Sequence, residues 1–255
     1  MGLTYERVEK KGPLFPKTIQ NAQDVAQMRS GAAAAAELQY VFDAIEITVK
    51  ELDGRVPLIG FAGAPWTILA YMVEGSGSKT FSKAKKFLYQ EPILAHQLLQ
   101  KITDTTIAYL KLKVKSGANL IQVFDSWAGI LTPLQFRTFA LPYLKQIASA
   151  IETVPVTVFA KGAYDDLSEV DCNVVGIDWN TSPFYAKALL KDKVCQGNLD
   201  PCQLYGQPKD VAAAALKMVQ DFGSKHIANL GHGVYPDTPL DNVRVFVDTI
   251  KGYHY

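Results

Sequence analysis

Short apolar runs alternate with longer amphipathic stretches along the chain, and no long polar linker separates them. These runs are rich in β-branched and aromatic side chains and are apolar at nearly every position rather than at alternate ones. Such continuous patterns are typical of strands that are covered on both faces. The sequence therefore predicts six buried strands, at residues 57–62, 120–124, 156–159, 174–177, 194–197 and 227–230.

Helical patterns occupy the stretches around these runs. Residues 92–117 carry apolar side chains at helical spacing, with proline in the first turn and glycine after the last. The alanine run 32–36 predicts the start of a helix that ends near Gly54. A capping hydroxyl followed by proline predicts three more helix starts, at Thr132-Pro133, Ser182-Pro183 and Thr238-Pro239.

This βα repetition predicts an α/β fold with a parallel sheet, either an open doubly wound sheet or a (β/α)8 TIM barrel. Polar residues and glycines cluster where the predicted strands end, and both folds place their sites at the carboxyl ends of the strands. The clusters are residues 63–66, Asp125-Ser126, Lys161, Asp178, residues 198–200 and residues 231–233.

Composition limits the function classes. With 255 residues, 48% of them hydrophobic, the chain can form one large domain, which we predict to span residues 1–255. A net charge of +1 gives no reason to expect nucleic acid or an anionic membrane as partner, and no apolar run approaches the length of a membrane span. Three cysteines without CxxC spacing, in a chain without an apolar signal segment, predict a reduced, intracellular protein.

Candidate chemistry concentrates in the polar clusters. His232 lies between two glycines, a setting that suits ligand binding or catalysis, although a structural loop histidine fits the same pattern. Asp125 and Ser126 end a strand and suit polar ligand binding better than nucleophilic attack, or they simply cap the next turn. Lys161 also ends a strand, a position at which a desolvated lysine can form a Schiff base. The simpler interpretation is a lysine that is solvated or salt-bridged.

The glycine-rich stretch "YMVEGSGS", residues 71–78, matches neither of the two common phosphate-loop patterns. We interpret it as a flexible flap that carries Tyr71. No pair of histidines or cysteines has ligand spacing, so we predict no metal site.

Six motifs closely resemble the uroporphyrinogen decarboxylase family, in the family's order and spacing, and "KGPLFP" at residues 11–16 also matches. They are "GFAGAPWTILAYMVEGSGSKTF" (60–81), "FDSWAG" (124–129), "ALPYL" (140–144), "VVGIDW" (174–179), "QGNLDPCQLY" (196–205) and "NLGHGVYPDT" (229–238).

The resemblance implies a (β/α)8 barrel that acts without cofactor or metal, usually as a cytoplasmic homodimer. The reaction it implies is decarboxylation of the four acetate side chains of uroporphyrinogen to give coproporphyrinogen, in tetrapyrrole (haem) biosynthesis. By position in the motifs, it implies that Tyr71, Ser126 and His232 bind substrate, with Tyr71 also catalytic.

The chain departs from the family in lacking an "RQAGRY"-like arginine motif and a strand ending in "SD". Together with the count of six strands, this leads us to expect a TIM barrel whose first two βα units are absent. Such a barrel has two open sheet edges, and we expect the chain alone to have little or no activity.

Two other readings stay open. One is a non-catalytic remnant that binds porphyrinogens or pairs with a complete subunit, as the retained Tyr71, Ser126 and His232 and the open edges permit. The other is a cobalamin-linked methyltransferase, which resembles this family in fold. Those enzymes bind zinc through histidine and cysteine, and no His-x-Cys occurs here.

Overall fold

Six parallel strands form the central sheet of the protein, seen in a computed structural model that describes residues 1–4, 6–8 and 12–254. Two short antiparallel strands precede the sheet. The strands are β1 (Glu6–Val8), β2 (Gly12–Leu14), β3 (Ile59–Gly63), β4 (Leu120–Asp125), β5 (Val156–Ala160), β6 (Val174–Gly176), β7 (Val194–Leu199) and β8 (His226–Leu230). Lys11 of "KGPLFP" and Tyr255, the end of the predicted domain, lie outside the described residues.

Helices follow the strands and cover the sheet. They are α1 (Ala22–Gln27), α2 (Gly31–Ala36), α3 (Gln39–Leu52), α4 (Pro65–Glu74), α5 (Ser82–Gln90), α6 (Pro92–Lys115), α7 (Pro133–Phe139), α8 (Leu141–Ala150), α9 (Pro183–Leu190), α10 (Pro208–Phe222) and α11 (Leu240–Lys251). None of these helices combines the length and apolar character that crossing a bilayer requires, in the part of the chain that the structure describes.

The strand order confirms the fold class. The sheet runs β3-β4-β5-β6-β7-β8, each strand parallel to the next, so strands adjacent in sequence are adjacent in space. This is the arrangement of consecutive βα units in a (β/α)8 barrel, whereas a doubly wound sheet reverses its strand order at a switch point. All six predicted strands are present, with bounds shifted by no more than a few residues.

The sheet has two open edges, as predicted. Among the described residues, β3 pairs only with β4 and β8 only with β7. On the β3 edge, Phe61 is 57% exposed, and the Lys113 ammonium donates a hydrogen bond to the Phe61 carbonyl at 2.8 Å. Burial lowers the pKa of Lys113 to about 8. On this edge a side chain thus satisfies the Phe61 carbonyl, while β3 has no further strand beside it among the described residues.

Two of the predicted helices differ from expectation. The alanine run does not continue to Gly54, because the chain turns at Leu38, whose N–H bonds the Ala35 carbonyl, and a second helix starts at Gln39. Ala34 and Ala35 are buried in the packing of α2 on α6, which sets a different axis from that of α3.

The hydroxyl-proline signal is correct at two sites and wrong at the third. Thr132 forms a capping box with Gln135, and the Ser182 hydroxyl accepts from the Tyr185 N–H. Thr238 does not cap a helix, because its hydroxyl accepts from the Tyr235 N–H inside the preceding turn and the helix begins at Leu240.

Candidate active site

A cavity of about 240 Å³ opens at the carboxyl ends of the strands. Side chains alternate across a strand, so residues 122, 124 and 126 of the β4 segment all face the same way, into the cavity. Residues from the ends of five strands line it: Gln122, Phe124, Ser126, Phe159, Gly176, Ile177, Gln196, Asn229, Leu230, Gly231, His232 and Gly233. This is the end of the sheet at which the sequence places the site.

His232 reaches this cavity because Gly231 lets the chain pass close to the end of β6. A Cβ on Gly231 would lie 2.6 Å from the Trp179 backbone nitrogen, so a side chain does not fit there. The His232 ring meets Phe159 and Trp179 edge-on, with ring centroids 6.2 and 6.4 Å apart. The two glycines of "GHG" thus differ, since a Cβ on Gly233 would meet nothing within 4 Å.

The surroundings of His232 favour the neutral form of its imidazole. Partial burial of the ring lowers its pKa below the ordinary 6.5, the Lys161 ammonium lowers that pKa further, and the Asp178 carboxylate acts in the opposite direction. A neutral imidazole offers one N–H donor and one acceptor to a ligand.

Ser126 lies on the opposite wall, directly after β4. Its side chain is half-buried, and its hydroxyl has no hydrogen-bond partner among the described residues. Ser126 and His232 come from distant parts of the sequence and line one cavity.

Tyr71 is placed differently from the interpretation as a flap residue. It lies in the last turns of α4, and its hydroxyl accepts a hydrogen bond from the Trp127 indole at 3.0 Å. Tyr71 is absent from the cavity lining and is connected to it through Trp127, the residue after Ser126. The Glu74 carboxylate accepts from the Lys83 and Ala84 N–H groups, which links the end of α4 to the start of α5 across the glycine-rich stretch.

Trp127 is held by three residues of α4. Besides the bond to Tyr71, its N–H donates to the Thr67 hydroxyl at 3.2 Å, and its carbonyl accepts from the Trp66 indole at 3.0 Å. Three attachments to one rigid helix fix the backbone beside Ser126, which preorganises that hydroxyl.

Asp125 points away from the cavity, toward α4. It is fully buried, and the Thr67 hydroxyl donates to its Oδ1 at 2.6 Å, while its Oδ2 has no partner among the described residues. Burial raises the pKa of Asp125 to about 7, against the opposing effect of the Thr67 hydrogen bonds. Asp125 therefore neither lines the cavity nor caps the turn that follows β4, and its carboxylate instead joins β4 to α4 through Thr67.

Lys161 lies at the end of β5, with its ammonium 4.8 Å from the centre of the Trp179 ring. Its backbone is fixed by a hydrogen bond from its N–H to the Asp125 carbonyl. Its side chain forms no ion pair among the described residues, so the salt-bridged alternative is wrong and a cation–π contact takes its place.

Sequence reasoning missed the polar floor of the cavity. Gln122 and Gln196 are buried, and the Gln196 Nε2 donates to the Gln122 Oε1 at 3.2 Å. The signal was a glutamine inside each apolar run, in "LIQVF" and "VCQG". No cluster of three or more histidine, cysteine, aspartate or glutamate side chains suits a metal ion in the described part of the chain.

The protein has the same fold as several proteins of solved structure. A methyltransferase from Methanosarcina mazei superimposes with a TM-score of 0.83 at 20% identity, covering 98% of this chain and 75% of that one. A B12-independent methionine synthase from Shewanella sp. W3-18-1 gives a TM-score of 0.61 at 10% identity, covering 97% of this chain and 72% of that one. These similarities concern the fold alone.

Sequence comparison goes further. The family described as "Uroporphyrinogen decarboxylase (URO-D)" matches residues 1–253. The uroporphyrinogen decarboxylase of Danio rerio is 43% identical, covering 99% of this chain and 72% of its own length. The Homo sapiens protein of that name is 44% identical, covering 98% of this chain and 72% of its own length. The Christiangramia forsetii protein is 45% identical, covering 99% of this chain and 76% of its own length. This chain therefore belongs to the uroporphyrinogen decarboxylase family.

Proposed function

We propose that this protein removes carbon dioxide from the four acetate side chains of uroporphyrinogen, giving coproporphyrinogen in tetrapyrrole (haem) biosynthesis. The names of its relatives support this substrate, and their similarity extends over nearly the whole chain. The observation that carries the proposal is that Ser126 and His232, from two separate family motifs, line one cavity at the carboxyl ends of the strands.

The chemistry needs a polar site rather than a cofactor. Protonation of the pyrrole carbon next to the one that bears the acetate makes the ring cationic and leaves the acetate-bearing carbon able to form a double bond to the methylene. The bond to the carboxylate then breaks, its electron pair enters the ring, and carbon dioxide leaves. One proton replaces each carbon dioxide, so the acetate becomes a methyl group. Because the pyrrole itself accepts the electrons, we propose that the reaction uses neither a cofactor nor a metal.

Each candidate residue has a role suited to its position. The Ser126 hydroxyl and the neutral His232 imidazole offer hydrogen bonds to substrate carboxylates at the cavity wall. Tyr71 accepts from Trp127, so its own O–H remains free to donate toward substrate that extends out of the cavity. In this proposal Tyr71 both binds substrate and is catalytic.

Three properties of the whole protein complete the proposal. Residues 1–255 form a single domain, which the one continuous hydrophobic core supports. The protein is a homodimer, for which exposed Ile93, Leu134 and Phe184 offer apolar surface. It is cytoplasmic and has no nucleic acid or membrane partner, in keeping with Cys172, Cys195 and Cys202, which are all free thiols.

A second candidate function is favoured by the open edges of β3 and β8. Unpaired strand edges accept further strands, so the chain is also suited to binding porphyrinogens without turnover while paired with another polypeptide. The isolated protein is expected to have low activity, because the described sheet has six strands rather than the eight of a closed barrel. Any decarboxylation above the rate without protein therefore supports the first candidate, and binding without decarboxylation supports the second.

The test is anaerobic incubation of the purified protein with uroporphyrinogen III, followed by oxidation and chromatography of the porphyrins. Decarboxylation predicts porphyrins with seven, six, five and four carboxyl groups in succession. If the eight-carboxyl porphyrin alone is recovered while titration shows that it binds, the binding function replaces the catalytic one. Size-exclusion chromatography with light scattering tests the dimer in the same preparation.

A further inference from the structure

Two amide side chains meet inside the barrel, at the floor of the cavity. Gln122 on β4 is 6% exposed and Gln196 on β7 is 5% exposed, and both line the cavity. Their contact joins two strands that are not neighbours in the sheet, since β5 and β6 lie between them. Gly176 on β6 also lines the cavity, and a Cβ there would lie 3.0 Å from the Phe159 side chain.

Each amide keeps one polar atom free. The Gln122 Nε2 and the Gln196 Oε1 have no hydrogen-bond partner among the described residues, yet neither is fully enclosed, so both are open to the cavity. Thr157, paired in register with Gln122, adds a buried hydroxyl that also lacks a partner. The interior of such barrels is ordinarily filled by Val, Ile and Leu, and an unpaired buried amide is unfavourable there. A polar floor therefore indicates a polar ligand.

The rest of the cavity carries no formal charge. Its other walls are largely apolar, with Phe124, Phe159 and Ile177 among the lining, and none of the described lining residues is Lys, Arg, Asp or Glu. The nearby ammonium of Lys161 is stacked on Trp179 at the mouth. The floor therefore recognises its ligand by neutral hydrogen bonds, whereas the Lys161 ammonium lies outside the described lining.

The size of the cavity limits what enters it. At about 240 Å³ it is smaller than the roughly 300–1,000 Å³ of typical pockets for drug-sized ligands. A cavity of this size admits one pyrrole ring with its acetate more readily than the whole macrocycle. Four acetates are then processed one at a time.

Resting on the proposed function, we propose that Gln122 and Gln196 form the subsite for the acetate that is lost. The Gln122 Nε2 donates to the carboxylate of the reacting acetate, and Gln196 is a positioning residue that holds the Gln122 Oε1 and so aims the Nε2 at the cavity. The carboxylates that are retained stay at the rim with Lys161.

This arrangement favours the reaction. A carboxylate held only by a neutral amide in an apolar cavity is less stabilised than in water. When the bond between the carboxyl carbon and the methylene carbon breaks, its electron pair enters the protonated ring and uncharged carbon dioxide leaves. The negative charge thereby disappears from the cavity that disfavours it.

The experiment compares Gln122→Glu and Gln122→Leu with Gln220→Leu, a control on the exposed face of α10. Carbon dioxide release from uroporphyrinogen III is measured between pH 5 and 8. Loss of one hydrogen bond to a charged group predicts an about tenfold or greater fall in kcat/KM for Gln122→Leu, mainly through a higher KM, because the contact is made to the carboxylate before it leaves. The carbon dioxide release of Gln122→Glu is lower still at pH 8, because the new carboxylate repels that of the substrate. It recovers toward pH 5 as the new glutamate is protonated. Gln220→Leu behaves as the wild type.

Binding provides a readout that does not need turnover. Pyrrole-3-acetate is titrated by NMR into the wild type and the three variants, with 3-methylpyrrole as the ligand that lacks the carboxylate. We expect both Gln122 variants to bind pyrrole-3-acetate more weakly than the wild type does, and to bind 3-methylpyrrole with unchanged affinity. Thermal unfolding shows whether each variant is folded, and Gln196→Asn supplies a milder change if the leucine variants unfold.

The two proposals fail separately. If the wild type decarboxylates uroporphyrinogen and Gln122→Glu matches Gln122→Leu at every pH, or both match the wild type, the acetate subsite is wrong and the function stands. If the wild type releases no carbon dioxide but binds pyrrole-3-acetate through Gln122, the function is wrong and the subsite stands. If the wild type neither reacts nor binds pyrrole-3-acetate, both are wrong.

Discussion

The Trp127 indole donates a hydrogen bond to the Tyr71 hydroxyl at 3.0 Å, and this bond ties α4 to the segment that carries Ser126. In Tyr71→Phe the indole N–H loses its acceptor while the ring packing against Phe81 is kept. We expect about 1 kcal/mol lower free energy of unfolding, measured by urea denaturation, and a lower kcat with uroporphyrinogen. Tyr89→Phe, an exposed tyrosine on α5, is the control. Equal stability and activity in the two variants would remove Tyr71 from the site.

The two glycines on either side of His232 differ in whether a side chain would fit in their place. Gly231→Ala places a Cβ 2.6 Å from the Trp179 nitrogen, so the loop must shift and carry His232 with it. We expect the free energy of unfolding to fall by about 1–3 kcal/mol. We also expect weaker binding of uroporphyrin, measured by fluorescence titration. Gly233→Ala meets open space and should stay within about 0.5 kcal/mol of the wild type. A Gly233→Ala variant as impaired as Gly231→Ala would contradict this geometry.

Lys161 and His232 are coupled through charge. Because the Lys161 ammonium contributes to the lowered pKa of His232, Lys161→Met should raise that pKa toward its ordinary value, leaving the effect of burial in place. NMR titration of the His232 ring protons measures the shift. Lys50→Met, an exposed lysine of α3 that is far along the chain from the site, serves as the matched control and should leave the titration unchanged. An unaltered His232 titration in Lys161→Met would show that the two charges do not interact.

The buried carboxyl of Asp125 makes stability depend on pH. Its pKa rises from 3.8 to about 7 on folding, so between these values the folded protein binds more protons at this site than the unfolded chain does. Through this group, the free energy of unfolding therefore falls as the pH rises from about 4 to 7, by on the order of 4 kcal/mol in total.

Asp125→Asn should remove this dependence, because the amide keeps an oxygen for the Thr67 hydroxyl and cannot ionise. Urea denaturation at pH 5 and pH 8 should show a smaller loss of stability for Asp125→Asn than for the wild type. Asp192→Asn, on the surface, should retain the wild-type slope. If Asp125→Asn is as pH-dependent as the wild type, another group is responsible.

The fold follows from local patterns, and for that reason it was predictable. Continuous apolar runs can be satisfied only by strands covered on both faces, and consecutive βα units leave few ways to connect them. The point at which a predicted helix is interrupted by a turn was harder to predict from the sequence. Nothing in the alanine run marks the turn at Leu38, which depends on how α2 packs against α6.

By itself the sequence determined the βα order, the end of the sheet that holds the site, and the family motifs that contain Ser126 and His232. Only the tertiary structure decided which polar residues share the cavity. Asp125 and Ser126 are neighbours in sequence but face opposite sides of β4, because side chains alternate along a strand. Gln122 and Gln196 look like parts of two apolar strands, and they meet only because the curved sheet brings β4 and β7 together across the barrel.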